Sequence, residues 1–335
     1  MKRKNNLYPN IYDYNNIIQA YNEVCKNTKN KKKVEFFKEY KCLYIYQIYN
    51  TLKNHEYVVG PYNIFTIYEP KERRIVSQNM FDKVINHLVA RYILYPAILP
   101  CLENFNVASR KDMGMKRGLE IYQHWRKYFY NKYGDYYILK CDISKFFASI
   151  DHKRLKEKLL RRIKDPDALK IVFDIIDSDS EGLSIGNMTS QVLAIFYLND
   201  MDHFIKEHLH IKGVIRYQDD FVLFHQSKEY LQYCLDELTN FLSKEKLRLN
   251  SKTRIFKSSD NFIFIGRNKY GHYAKYRTIS RRLKKRNYLY WTGHIGLGNL
   301  VDSIIYYQHL NLPSKIDSDF YSFSTNIGVA IFFYF

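Results

Sequence analysis

Three aspartates carry the most chemistry in this sequence. Two of them are adjacent, in Val214-Ile215-Arg216-Tyr217-Gln218-Asp219-Asp220-Phe221-Val222-Leu223-Phe224, where two apolar β-prone runs flank a tight turn. That pattern predicts a hairpin with charge at its tip. Neighbouring carboxylates repel, and a fold that holds them between apolar strands usually offsets the repulsion with a cation, often a divalent ion with oxygen ligands. An acidic hairpin turn without a metal is the plain alternative. The third acid, Asp142, ends the apolar run Tyr136-Tyr137-Ile138-Leu139-Lys140-Cys141. A strand-end aspartate is by itself as much a cap or turn former as a functional group, and Asp151 nearby is placed to cap a helix through Leu155, Leu159 and Leu160.

The elements that must position these acids are readable in outline. Residues up to about 55 look helical and basic, with Phe36, Phe37, Tyr40, Leu43, Tyr44 and Ile48 at helical spacing. Tyr57 to Pro61 breaks that pattern. Ile64 to Tyr68 and Arg73 to Val76 then predict an antiparallel hairpin with Lys71, Arg73 and Arg74 at or beside its tip, a geometry suited to clamping a triphosphate. Residues of about 80–95 predict an amphipathic helix closed near Pro96 and Pro100. The segment Asn106 to Gly118 is polar, basic and glycine-punctuated, as suits a loop approaching a phosphate or a template strand. Gly182-Leu183-Ser184-Ile185-Gly186-Asn187-Met188-Thr189-Ser190-Gln191 opens a long apolar helix through Ile205, and its backbone N–H groups could meet a nucleotide or a template phosphate. Ser227 caps a helix through Leu242, Phe262 to Gly266 reads as a hairpin-like piece, and a basic helical module follows from about residue 275.

Composition narrows the class. The chain has 335 residues, 46% of them hydrophobic, which is enough for a sizeable core. Its 53 Lys and Arg against 34 Asp and Glu give a net charge of +19, pointing to a polyanionic partner, so clustered acids are informative. The 32 tyrosines suit base stacking, although a sequence so rich in Asn, Lys and Ile also fits AT-rich coding DNA. Five scattered cysteines without a C-x-x-C pair suggest neither zinc nor disulfides, and a reducing cytoplasm fits. No signal peptide is expected, no segment reads as long enough to span a bilayer, and the apolar tail Ile327 to Phe335 falls short of the roughly 20 residues required.

Taken in order, a strand-end Asp, a glycine-rich helix opening and a Tyr-x-Asp-Asp hairpin resemble a reverse transcriptase palm. Asp142-Ile143-Ser144-Lys145-Phe146-Phe147 through His152 resembles the first palm motif, and Arg216 to Phe221 the catalytic hairpin. Lys71 to Val76 resembles the fingers motif, Leu249 to Lys252 the motif after the palm helix, and Phe262 to Gly266 the primer grip. Within that family, Ile185 to Gln191 is most similar to the enzymes of diversity-generating retroelements, since most relatives carry Pro-Gln-Gly where this chain has Ser184-Ile185-Gly186. Ala108 to Lys111 with Gly114, Gly60 to Tyr62, Tyr68 to Lys71, and Trp291 to His294 support the same likeness. Antiphage-defence reverse transcriptases share the palm motifs and are the near alternative; a non-catalytic RNA-binding protein of the same fold is the remote one.

The resemblance implies an α+β, right-hand polymerase. An N-terminal extension and fingers, with part of the palm within, would occupy 1–135, a palm with an antiparallel sheet packed on helices 136–270, and a small basic helical thumb 271–335. It implies RNA-directed DNA synthesis with two Mg²⁺ ions, or Mn²⁺ as the alternative, bridged by Asp142 and Asp219, supported by Asp220, with the Ile143 carbonyl as a further ligand. Arg73, with Lys71 or Arg74, would neutralise the triphosphate, the doubled arginine leaving that register open by one residue. Phe147 would pack against the incoming sugar and exclude a 2′-hydroxyl, while Ile185, Gly186 and Gln191 would line the nucleotide site. Isoleucine at 185 offers only apolar contact where relatives have a glutamine, which implies loose control of the nascent pair and low fidelity. Arg110, Lys252, Phe264 and Gly266 would contact primer or template. The implied partners are template RNA, cDNA, dNTPs and a small basic accessory protein or further copies of the chain, with no membrane, and the implied setting is the cytoplasm, for a bacterial or phage-encoded protein.

Overall fold

A computed structural model describes residues 2–67, 73–268 and 276–308. The N-terminal region is helical as its periodicity predicts: α1 (Tyr14–Asn27), α2 (Lys31–Glu39) and α3 (Lys41–Lys53). Asp13 and Asn30 cap α1 and α2 by accepting the backbone N–H groups of Asn16 and Lys33. This bundle is tied to the rest through Asp165. Its carboxylate accepts from Leu7 N (2.6 Å) and Tyr8 N (2.9 Å) while capping the helix that starts at Pro166.

Strands β1 (Asn63–Ile67) and β2 (Arg73–Ser77) pair antiparallel, as expected. Beyond them, α4 (Met80–Val89) does not stop at the prolines. It passes through one π turn, Ala90–Leu94, into α5 (Tyr95–Ile98) and a last 3₁₀ turn to Cys101. The wider turn supplies the reason, because a proline ring inside a regular helix collides with the carbonyl four residues back, and here Tyr95 N instead bonds Ala90 O, five residues back. The run Met80–Cys101 is 22 residues long and, by length and composition, could cross a membrane, which corrects the expectation that no segment is long enough. It is a core helix, with 61% of its most apolar stretch buried.

Helix α6 (Met115–Tyr133) is not anticipated by the sequence reading, which placed Gly118 in a loop. Gly118 lies inside this helix because the helix runs close to its neighbours: a Cβ there would sit 2.8 Å from Ile265 Cδ1. The central sheet has the order β4-β5-β3-β6, all antiparallel, from β3 (Tyr137–Asp142), β4 (Gly213–Tyr217), β5 (Asp220–His225) and β6 (Arg254–Lys257). Both faces are covered, which is why β5 reads as continuously apolar. Phe221 and Leu223 join the main core, while Val222 and Phe224 join a second, aromatic layer with Tyr122 and Phe129 of α6 and with Phe256, Phe262 and Phe264.

Between β3 and β4 lie α7 (His152–Leu160), α8 (Pro166–Asp177), α9 (Met188–Tyr197), α10 (Asn199–His203) and a π turn at Phe204–His208. The predicted long helix is thus interrupted at Leu198. Asp151 and Ser227 cap α7 and α11 (Lys228–Lys244) as expected, accepting from Arg154 N and Tyr230 N. Residues 2–67 and 73–265 form one compact unit, and α12 (Tyr276–Trp291) and α13 (Leu297–Gln308) belong to a second. The apolar tail and Lys71 lie outside the described residues.

Candidate active site

The acidic doublet is at the tip of the β4–β5 hairpin. Tyr217 pairs with Asp220, so Gln218 and Asp219 form a two-residue connection. Of these two only Gln218 has a positive φ, 58°, the dihedral pattern of a type II′ turn, which normally takes glycine at that place. A non-glycine residue there costs on the order of 1–3 kcal/mol and persists only where its surroundings impose it.

Those surroundings are specific. Arg216 is completely buried, and its guanidinium grips the equally buried carboxylate of Asp202 on α10 (Nε to Oδ1 2.6 Å). From there it donates to Gln218 O at 2.9 Å and to Ile195 O at 3.0 Å. The Gln218 side chain donates through Nε2 to Ser109 Oγ (2.8 Å), Ser109 Oγ donates to Gln191 Oε1 (3.4 Å), and Tyr95 on α5 donates to Ser109 O (3.2 Å). The hairpin tip is thereby fastened to the loop before α6 and to the first turn of α9.

Asp142 is the last residue of β3 and stands directly opposite Asp220 in the β3–β5 register. Directly opposed residues have Cβ atoms about 4.5–5.5 Å apart, so strand pairing alone brings two carboxylates together, with Asp219 next along the chain. Burial pushes the Asp220 carboxyl up to about 6; the Lys140 ammonium, 2.9 Å from its Oδ1, opposes that rise, and the charges of Asp142 and Asp219 add to it. Among the described residues no group of three or more His, Cys, Asp or Glu converges tightly enough to hold an ion as the side chains stand. The donor set nevertheless fits a divalent cation of the oxygen-ligated kind: three carboxylates, like charges that raise one of their number, and an ammonium that partly neutralises it.

The segment after α11 closes the other side of Asp142. Asn250 N donates to Asp142 O (2.7 Å), Ile143 bridges Leu249, and Ser144 N donates to Arg248 O (2.9 Å). Ile143 is buried, and Lys252 is exposed on the turn that follows. Phe146 and Phe147 lie in a 3₁₀ turn entered through Lys145 at φ 47°, with Phe146 buried and Phe147 partly so. Ile185 O accepts from Val76 N at 3.4 Å, so the glycine-rich segment touches β2; Gly186 (φ 127°) and Gln191 are exposed there.

The remaining expected residues are placed differently. Arg110 turns its guanidinium into its own loop, donating to Glu103 O (2.8 Å) and Asn106 O (2.9 Å), and so braces the backbone. Phe264 is buried in the aromatic layer, 5.6 Å from the Tyr122 ring, and is followed by Ile265 and Gly266 in successive left-handed conformations. Arg73 and Arg74 are on β2, opposite Ile67 and Thr66. The sequence reading missed Lys140, Ser109 with Gln218, and the Arg216–Asp202 pair. An arginine inside an otherwise apolar strand, directly before the doublet, was the available signal for the last.

The sequence model of the family described as reverse transcriptase (RNA-dependent DNA polymerase) matches residues 69–269. Protein YkfC of Escherichia coli strain K12 is 26% identical over 202 residues, covering 45% of this chain and 53% of YkfC. The chain thus spans about half the length of the curated relative it matches. Among solved structures, apo telomerase from Candida tropicalis, truncated from its C-terminal domain, aligns with TM-score 0.49 and 16% identity over 65% of this chain and 56% of its own. Telomerase from Candida albicans in complex with a TWJ fragment of telomeric RNA gives TM-score 0.49 and 12% identity over 72% and 55%. The family match takes in β2, the Asp142 strand, the glycine-rich helix opening and the Asp219-Asp220 hairpin together, and on it the chain belongs to the reverse transcriptase (RNA-dependent DNA polymerase) family.

Proposed function

We propose that this protein is an RNA-directed DNA polymerase that adds dNTPs to a primer on an RNA template. The observation that carries the reading is the opposition of Asp142 and Asp220 across β3 and β5, with Asp219 in the turn beside them. Asp142 and Asp219, with the Ile143 carbonyl, would hold Mg²⁺, and the ions when bound would supply the charge that activates the primer 3′-hydroxyl and stabilises the leaving pyrophosphate. Asp220, paired with Lys140, holds the hairpin at the right height for Asp219. Arg73 and Arg74 neutralise the triphosphate, Phe147 meets the sugar and excludes a 2′-hydroxyl, and Ile185 packs against the nascent base pair. In this reading 1–135 are fingers, 136–270 palm and 271–335 thumb. Replacing Asp219 and Asp220 together by Asn abolishes Mg²⁺-dependent dNTP incorporation while RNA binding in a filter assay stays within a few fold. Continued synthesis by that variant would refute the site.

The finer reading is a diversity-generating retroelement enzyme that copies a dedicated RNA with low fidelity. Its support is Ile185 in place of the usual glutamine, set in Ile185-Gly186-Asn187-Met188-Thr189-Ser190-Gln191. An apolar side chain cannot supply a directional hydrogen bond, so mispairs are rejected less strongly. Sequencing of the RNA that copurifies with the protein, together with the cDNA made from it, is expected to show one template species miscopied at adenines. Accurate copying of a short structured RNA would instead assign the protein to antiphage defence.

A further inference from the structure

The turn that carries Phe147 is held from behind by a loop distant in sequence. Gly182 sits at φ 62° with its Cα against the Phe147–Ala148 peptide, and a Cβ there would be 2.3 Å from Phe147 O and 2.6 Å from Ala148 Cα. No other residue fits without moving that backbone. The next residue closes the contact with a hydrogen bond, Leu183 N to Phe147 O at 2.8 Å. On the far side, His152 Nε2 donates to Gly182 O at 2.5 Å, and its Nδ1 lies 3.6 Å from Asp177 Oδ1, a carboxylate that also takes Lys156. The loop continues under restraint, with Ser184 N donating to Asp179 Oδ2 (2.8 Å) and Asn187 Nδ2 to Ser184 Oγ (2.7 Å). Phe146, buried beside Phe147, holds the front of the turn.

We propose that Gly182 and His152 are positioning residues for sugar selection: together they fix the backbone of Phe147 and so the height of its ring above the incoming nucleotide. This rests on the reading of Phe147 as the ring that excludes a 2′-hydroxyl. Exclusion of one hydroxyl is a hard-contact effect, a steric repulsion that vanishes if the ring recedes by about 0.5–1 Å, a gap over which even the attractive part of a contact is already weakened. A ring held only by its own side-chain packing would yield by that much. One whose carbonyl is bonded to Leu183 and pressed by Gly182 does not. The lever acts through the peptide of Phe147, so the supporting residues need not touch substrate themselves.

The test is the ratio of kcat/KM for dCTP to that for CTP on a defined RNA template with a DNA primer, a ratio from which any uniform loss of activity cancels. Phe147→Ala is the reference and lowers it. Gly182→Ala and His152→Ala are each expected to lower it roughly tenfold, in keeping with about a hundredfold for a 1 Å misplacement. His152→Gln, which keeps an N–H donor in reach of Gly182 O, restores most of the ratio. If Gly182→Ala does not fold, the His152 pair decides alone. A ratio at the wild-type value in both Gly182→Ala and His152→Ala, with Phe147→Ala lowered, overturns the positioning role and leaves the ring assignment standing. A wild-type ratio in Phe147→Ala overturns both.

Discussion

Arg216 shows how one buried side chain can serve structure and site at once. Burial pushes the Asp202 carboxyl upward, and the Arg216 guanidinium works against that shift. Removing either partner leaves the other charge in the interior, at about 3–5 kcal/mol, whereas replacing both by apolar groups of similar volume is often close to neutral. Arg216→Met is therefore expected to lose that much in urea denaturation, and Arg216→Met with Asp202→Leu to recover most of it. Polymerase activity should not follow, because the double variant still lacks the donor to Gln218 O. A double variant that regains full activity along with stability would show that the arginine has no part in holding the turn. Exposed pairs such as Arg117–Glu120 sit in high dielectric and are worth about 0–1 kcal/mol each.

At the scale of elements, Asp165 joins the N-terminal bundle to α8 by accepting four backbone N–H groups, from Leu7, Tyr8, Asp167 and Ala168. Burial raises its carboxyl, and those four donors outweigh burial, so the net shift is downward from 3.8. A lowered folded-state value means the stabilisation is fully present above the unfolded value and is lost as pH falls through the folded one. Wild-type melting temperature should thus drop on acidification below about pH 4. Asp165→Asn, whose amide must turn a donor toward some of those N–H groups, is expected to cost about 1–3 kcal/mol at pH 7 and to flatten that acid slope. An unchanged slope would place the acid-sensitive group elsewhere. The same scale shows what the sequence could not deliver. Helix α6 hides its apolar face (Tyr122, Phe129) among charges and opens after Gly114, so its composition resembles a loop. Strand β6 has four residues with one buried side chain, Phe256, and exists because β3 offers an edge far away in the chain.

At the scale of the whole molecule, what was legible was the order of the chemical motifs and the apolar strands that hold them. Asp142 and the Asp219-Asp220 pair could be read as strand-end and turn-tip acids because each follows a short apolar run. Their meeting depends on β5 lying between β4 and β3, an arrangement set by long-range pairing. Arg110 shows a related limit: a basic residue in a polar loop reads as a phosphate contact, and only the fold reveals that its Nη1 also braces two carbonyls of its own loop. Most supports of the hairpin tip were illegible because they join single residues far apart in the chain, Gln218 to Ser109, Ser109 to Gln191 and Arg216 to Asp202 and Ile195.

The π turn at Ala90–Leu94 gives the helix one residue more than a regular winding would hold. Each residue of an α-helix advances the azimuth by about 100°, so everything from Tyr95 to Cys101 is phased by that angle relative to an uninterrupted helix. In this phase the Tyr95 hydroxyl reaches Ser109 O, and Ser109 is what Gln218 holds. The angular setting of a core helix is in this way carried, as through a gear tooth, to the turn that bears Asp219.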